Sequence, residues 1–213
     1  MDFNQRLIVS NDWATYLLVA CFVIFALAKY FYPKRFHEFS LLPFNNQYFK
    51  YDQLGHTFNM MLFACQVICV SIFIHLLFMA YNPAETANND WLFIQICTGY
   101  IVFVLIKFSL EKIIGNIFSL DELINKYLYQ KLSYRNFLGI LFFIGNLFFL
   151  YAFPPTALRL VIFASIMILL NASTLFYSYK KKRKLIMDNF FYFILYLCTL
   201  EIAPYIILYK SLF

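Results

Sequence analysis

The sequence predicts an all-α protein, a polytopic bundle of transmembrane helices. Hydrophobic residues make up 63% of the 213 positions and charged residues only 13%, about half the charged share of a typical soluble domain. The mean hydropathy is +0.70, and apolar runs of roughly 20 residues, the length that crosses a bilayer, recur along the chain. No stretch is left for a soluble domain of ordinary size, so we expect one integral membrane domain over residues 1–213.

Six apolar runs satisfy the length rule for a transmembrane helix. The segment 82–90 after the second run is polar and contains Pro83, and Pro154-Pro155 makes a tight turn after the fourth. We interpret the first run as a span rather than a signal peptide, because no basic segment precedes it and no small-residue cleavage site follows it. The predicted spans cover about residues 13–32, 57–81, 91–108, 137–153, 160–177 and 189–209.

The distribution of lysine and arginine predicts the orientation of these spans. Basic residues concentrate after the first, third and fifth spans, whereas the connections after the second and fourth carry none before Arg159. Because positively charged loops stay on the cytoplasmic side, we expect both termini outside. Trp13, Trp91 and Tyr209 then lie at the outer interface, where aromatic anchors are typical.

One cytoplasmic connection has a helical pattern of its own. Ser119 and Glu122 have the spacing of a capping box, in which each side chain accepts a hydrogen bond from the other residue's backbone amide. We therefore expect an amphipathic helix lying at the inner membrane interface. Its apolar face consists of Leu120, Leu123, Ile124, Tyr127 and Leu128.

Residues 200–205 place an acid and a proline inside the sixth predicted span. A carboxylate in hydrocarbon is costly and needs a partner, a cavity or a function. Pro204 removes a backbone donor and should kink the helix beside Glu201. At about 1.5 Å per residue, four more polar side chains fall into the same outer layer of the membrane; they are Arg159, His75, Gln95 and Asn146.

This intramembrane polar cluster has three interpretations. Its side chains form interhelical hydrogen bonds that hold the bundle together, at about 1 kcal/mol each. Alternatively, they bind a ligand, an ion or a proton, or they contact a helix of a partner protein. The sequence leaves all three open.

Other reactive residue types favour structural roles. The five cysteines fall inside apolar runs without a C-x-x-C pair, and we interpret them as small core residues. Lys107 and Glu111 are one helical turn apart, the spacing of an intrahelical ion pair. The three histidines are spread over different depths, and a haem would need ligands from a partner, so we expect no metal site and no cofactor.

A run of five basic residues follows the fifth span. Between two spans, such a run is first a determinant of topology. Anionic lipid is the next partner that it suits, and contact with an RNA-containing machine such as a ribosome is a further alternative; we expect no DNA partner. The run consists of Lys180, Lys181, Lys182, Arg183 and Lys184.

The segment LYLCTLEIAPY, residues 195–205, resembles the C-terminal signature of a family of uncharacterised membrane proteins of Bacteroidota that carry a domain-of-unknown-function label. The length, the number of spans and the stretch 34–39 after the first span are also similar, so the resemblance covers most of the chain. It implies a multi-pass protein of the bacterial inner membrane, whose outer termini are then periplasmic. It implies no particular reaction.

These observations predict a non-enzymatic subunit or accessory factor of a larger inner-membrane complex, serving protein export or envelope assembly. No catalytic motif is assembled, no internal repeat indicates a transporter, and amphipathic cytoplasmic segments suit docking. The expected partners are the lipid bilayer and other membrane proteins. The alternative is a small transporter or membrane enzyme that uses the intramembrane carboxylate of Glu201.

Overall fold

The structure, a computed structural model, describes residues 12–42, 57–83, 86, 91–117, 121–153 and 155–181. The sixth predicted span, with Glu201 and Pro204, lies outside the described residues, as does the basic run from Lys182 onward. The described helices are α1 (Asp12–Phe31), α2 (Pro33–Ser40), α3 (Thr57–Tyr81), α4 (Leu92–Ile117), α5 (Asp121–Leu147), which a π-helical turn (Phe148–Ala152) extends, and α6 (Ala157–Lys181).

The all-α prediction is confirmed. Four helices are long and apolar enough to cross a membrane, namely α1, α3, the Leu92–Ile113 part of α4, and α5 over Asn125–Ala152. The apolar part of α6, Ala157–Ser173, is shorter. Five of the six predicted spans therefore coincide with described helices.

Helices α3 and α5 form the centre of the bundle. Asn136 donates from Nδ2 to the backbone carbonyl of Asn59 at 3.4 Å, and Asn146 donates to the carbonyl of Cys69 at 2.8 Å. The same sequence separation, 77 residues, joins both pairs, so the two helices run in the same direction. Parallel packing is what two spans separated by one intervening crossing require. Helices α1 and α4 pack against α3, and α6 packs against both central helices.

Glycine at two positions lets α5 approach its neighbours closely. A Cβ atom at Gly139 would lie 2.8 Å from Cβ of Gln66 and 3.0 Å from its Cα, well inside the usual carbon–carbon contact distance of about 3.5–4.0 Å. At Gly145, a Cβ atom would overlap the ring of Phe163 on α6. Small residues at such contacts are the usual way in which membrane helices pack tightly.

The amphipathic segment predicted near residue 120 is not a separate interfacial helix. It forms the first part of α5, which continues unbroken into the fourth predicted span. Leu128 and Tyr129 are buried, and Tyr129 belongs to a core cluster with Phe39 and Phe58. No proline or glycine separates the two parts, and the Ser133 hydroxyl bonds within the helix to the Tyr129 carbonyl, so the helix has no reason to end there.

Helix α2 covers this end of the bundle. Pro33 stands in its first turn, where the missing N–H costs no hydrogen bond. Phe39 and the following Leu42 are buried, and the Phe39 ring meets Phe58 of α3 at 5.9 Å and Phe137 of α5 at 6.1 Å between centroids. The protein itself therefore covers the α5 segment at Leu128 and Tyr129.

Candidate functional site

Asn146, one of the residues predicted in the outer polar cluster, is fully buried between the central helices. Its Nδ2 donates to the Cys69 carbonyl at 2.8 Å, while no described residue bonds its Oδ1. A carboxamide that hydrogen-bonds to the neighbouring helix fits the first of the three interpretations, in which the polar side chains hold the bundle together. The Oδ1 atom of Asn146 is a buried acceptor to which no described residue donates a hydrogen bond.

His75 lies in an aromatic group that joins α1, α3 and α4. Its ring meets Trp13 edge to face at 5.0 Å and Phe93 at 6.4 Å, and Trp13 and Phe93 are 4.8 Å apart. Edge-to-face rings at these distances stabilise packing by about 0.5–1.5 kcal/mol per pair. His75 is therefore a half-buried packing residue near the C-terminal end of α3.

Gln95 and Arg159 have exposed side chains on α4 and α6. The Arg159 guanidinium lies over the Phe153 ring at 5.9 Å, a cation–π contact at the start of α6. The structure thus places Asn146 inside the bundle and the two other side chains on its outside. Glu201 lies outside the described residues, so a cluster of all five residues stays a prediction.

A second group of polar residues, which the sequence did not predict as a group, lies near the C-terminal end of α4 and in the N-terminal part of α5. Glu111 is 1% exposed, and Nζ of Lys131 lies 2.5 Å from its Oε1. The lysine ammonium also lies 5.4 Å from the centroid of the Tyr127 ring. Lys107 lies one turn away from Glu111 on the same helix, and Lys131 adds a cation from the next helix. The Glu111–Lys131 ion pair therefore connects α4 to α5.

Buried amide side chains continue this polar character along α3. Gln66 donates from Nε2 to the Tyr100 hydroxyl of α4 at 2.6 Å, and Asn136 of α5 bonds the Asn59 carbonyl. Several buried oxygens have no hydrogen-bond partner among the described residues, including Oε1 of Gln66, Oγ of Ser71 and Oδ1 of both Asn136 and Asn146. We name these amides and Ser71, with Asn59, the polar seam.

The polar seam can accept hydrogen bonds that the described protein does not supply. Buried polar oxygens normally bind protein donors or ordered water, because leaving them unpaired costs about 1–3 kcal/mol each. Amide oxygens also coordinate hard cations. The chemistry available here is therefore binding of water, a proton donor or a cation.

Three of the five cysteines form a packed cluster rather than a reactive site. Cys21, Cys65 and Cys69 are fully buried and not in disulfides, and Sγ of Cys65 lies 3.7 Å from the Cys21 carbonyl. This agrees with their interpretation as small core residues. In the part of the chain that the structure describes, no three His, Cys, Asp or Glu side chains are grouped so as to hold a metal ion.

The Glu111–Lys131 pair was missed because its members are 20 residues apart on either side of a connection. The available signal was the helical hairpin: both residues lie a few turns from the α4–α5 connection, on helices that pack together. Asn59 and Asn136 lie at the edges of predicted spans, where polar residues are common, so the sequence did not mark them as candidate site residues.

Comparison with known proteins gives a family for the chain. No curated protein and no solved structure matches it. One family model covers almost its whole length, residues 14–212, and includes every described helix from the first turn of α1 onward. The chain therefore belongs to the family described as Domain of unknown function (DUF4271).

Proposed function

We propose that this protein is a non-enzymatic subunit or accessory factor of a bacterial inner-membrane complex that serves protein export or envelope assembly. The observation that carries the proposal is the outward surface of α4, which has the features of a helix-docking surface. We name this surface the Gly99 face; it consists of Gln95, Thr98, Gly99, Val102 and Ile106, all exposed.

Gly99 is the residue that makes this face suitable for close approach of another helix. A Cβ atom at Gly99 would meet nothing within 4 Å, in contrast to Gly139 and Gly145, which are needed inside the bundle. Membrane helices use small residues where another helix approaches. The Thr98 hydroxyl donates to carbonyls of its own helix at 2.8 and 3.1 Å, so burial of this face would strand no hydroxyl. These features favour a helix of a partner protein.

The finer placement belongs to the same proposal. We place the chain in the inner membrane of a member of the Bacteroidota, with six spans and both termini in the periplasm. The alternation of basic connections supports this orientation, and the parallel run of α3 and α5 supports the order of crossings. The basic run from Lys180 to Lys184 then faces the cytoplasm, where it meets anionic lipid or a ribosome.

The test is affinity purification from native membranes without crosslinker, for the wild type, Gly99→Ile and a matched control. Ala172→Ile adds comparable bulk to the exposed surface of α6. We expect partner proteins to copurify with the wild type and with Ala172→Ile and to be lost from Gly99→Ile. A wild-type preparation that contains only a monomer or homodimer of this chain contradicts the subunit proposal.

A second candidate function, a small transporter or membrane enzyme that uses an intramembrane carboxylate, is favoured by the buried Glu111 and the open oxygens of the polar seam. Ionisable residues inside membranes often line proton or ion pathways. Glu111→Gln keeps the shape and removes the charge. Loss of the cellular phenotype at normal protein abundance supports this candidate, and an unchanged phenotype contradicts it.

A further inference from the structure

Helix α2 packs against the bundle with one of its sides. Phe39 and Leu42 anchor it in the core cluster with Phe58 and Tyr129. Its last turn is closed by backbone hydrogen bonds from Leu41 to His37 at 3.3 Å and from Leu42 to Phe39 at 3.1 Å. The opposite side of the helix is exposed.

That outward side is basic. Lys34, His37 and Leu41 are exposed at the spacing of one helix face. Lys29 is exposed in the last turn of α1. Neither lysine forms an ion pair or a hydrogen bond within the described part of the chain. We name Lys29, Lys34 and His37 the α2 basic face.

The α2 basic face lies at the depth of lipid headgroups. Lys29 follows Asp12 by 17 positions on α1, about 25 Å along the helix, which is close to the full thickness of a hydrocarbon core of about 30 Å. Tyr30, next in sequence, is 79% exposed. Exposed tyrosines mark the boundary between hydrocarbon and headgroups.

An apolar path on α1 leads to this face from the membrane interior. Ala26 and Phe22 are exposed one and two turns before Lys29, respectively, on the same side of the helix. An acyl chain can lie along these residues while its headgroup reaches the lysines. A soluble acidic protein would have no use for that path, so the combination of an apolar path with a cationic end is complementary to a lipid.

We propose that the α2 basic face binds the phosphate headgroups of anionic phospholipids in the membrane leaflet at this end of the bundle. This inference is independent of the proposed role in a complex and of the Lys180–Lys184 run. The lysines contribute by charge attraction in addition to the hydrophobic contact of the acyl chains.

The proposal is tested on the purified full-length chain in detergent, by native mass spectrometry with titrated phosphatidylglycerol or phosphatidylcholine. An attraction of about 1 kcal/mol per basic residue near an anionic surface corresponds to about fivefold in affinity. Lys29→Gln with Lys34→Gln should therefore weaken phosphatidylglycerol binding by roughly 25-fold and leave phosphatidylcholine binding unchanged. Lys29→Arg with Lys34→Arg should keep the wild-type preference.

Two further arms separate this face from other sources of attraction. Lys112→Gln removes an exposed lysine near the C-terminal end of α4, outside the α2 basic face, and should weaken binding less than Lys34→Gln alone. Replacing Lys180 to Lys184 by glutamine should leave most of the preference for phosphatidylglycerol. An equal loss in Lys112→Gln would overturn the proposal by showing undirected surface charge. Unchanged binding in the Lys29/Lys34 glutamine variant, or displacement of the lipid by inorganic phosphate or an acidic peptide, would also overturn it.

Discussion

Replacing Lys131 with methionine removes the cation that α5 supplies to the buried Glu111 carboxylate of α4. The two charged atoms are 2.5 Å apart, and Glu111 is 1% exposed. Removal of one partner from a buried pair costs about 3–5 kcal/mol, because the remaining charge keeps its desolvation penalty and loses its compensation. Since 17% of the Lys131 side chain is exposed, we expect the lower end of this range, about 3 kcal/mol, for Lys131→Met.

Two comparisons separate the stranded charge from lost packing. Glu111→Leu combined with Lys131→Met removes both charges and should cost less than about 1 kcal/mol, since apolar residues of similar volume replace a buried pair with little loss. Lys112→Met, at the exposed neighbouring position, should leave the stability unchanged.

The quantity to measure is the free energy of unfolding of each purified variant in a bilayer or in detergent, with thermal melting as a second readout. A stranded charge predicts that the double variant is more stable than Lys131→Met. A double variant as unstable as the single one would refute it, because the loss would then come from packing. Wild-type stability of Lys131→Met would refute it as well.

Three other predictions follow from particular positions. Gly139→Ala should lower the stability of the purified chain by about 1–3 kcal/mol, because its Cβ would overlap the backbone of α3; Gly99→Ala meets open space and should not, and thermal melting compares the two. Glu85→Cys should be labelled from the periplasm and Lys182→Cys from the cytoplasm, and the reverse pattern would contradict the orientation. If Glu201 is a structural partner, Glu201→Leu should cost roughly 1–3 kcal/mol and Glu201→Gln little; loss of phenotype in Glu201→Gln at normal abundance would indicate proton or ion transfer instead.

The sequence was informative about the spans because burial in lipid demands long apolar runs. Helices α3 and α4 begin within one residue of the predicted spans, since polar or aromatic boundary residues mark those ends. The capping box predicted a helix that starts near Asp121, but the unbroken continuation of that helix into the fourth span was not predicted. Apolar periodicity shows that a helix face is covered without showing whether lipid or protein covers it, and here Phe39 and Phe58 provide part of the cover.

The sequence could predict individual polar residues of the candidate site on each helix, but it could not predict which residues on different helices would contact each other. Asn146 was singled out because an amide inside a span needs a partner, and the structure gives it the Cys69 carbonyl. That acceptor is a backbone atom, which no side-chain pattern could reveal. The Glu111–Lys131 pair depends on the angle and register at which α4 and α5 pack, and the spacing of charges along the chain does not give either.

The most direct test of the central claim is the mass of the native particle that contains this chain. The protein is extracted from its own membrane with the surrounding lipid, without crosslinker, and its particle mass and polypeptide content are measured. We expect a particle with a mass well above that of the 25.4 kDa chain, with at least one other polypeptide in fixed proportion, and loss of that polypeptide in Gly99→Ile. A particle that contains only one or two copies of this chain would contradict it.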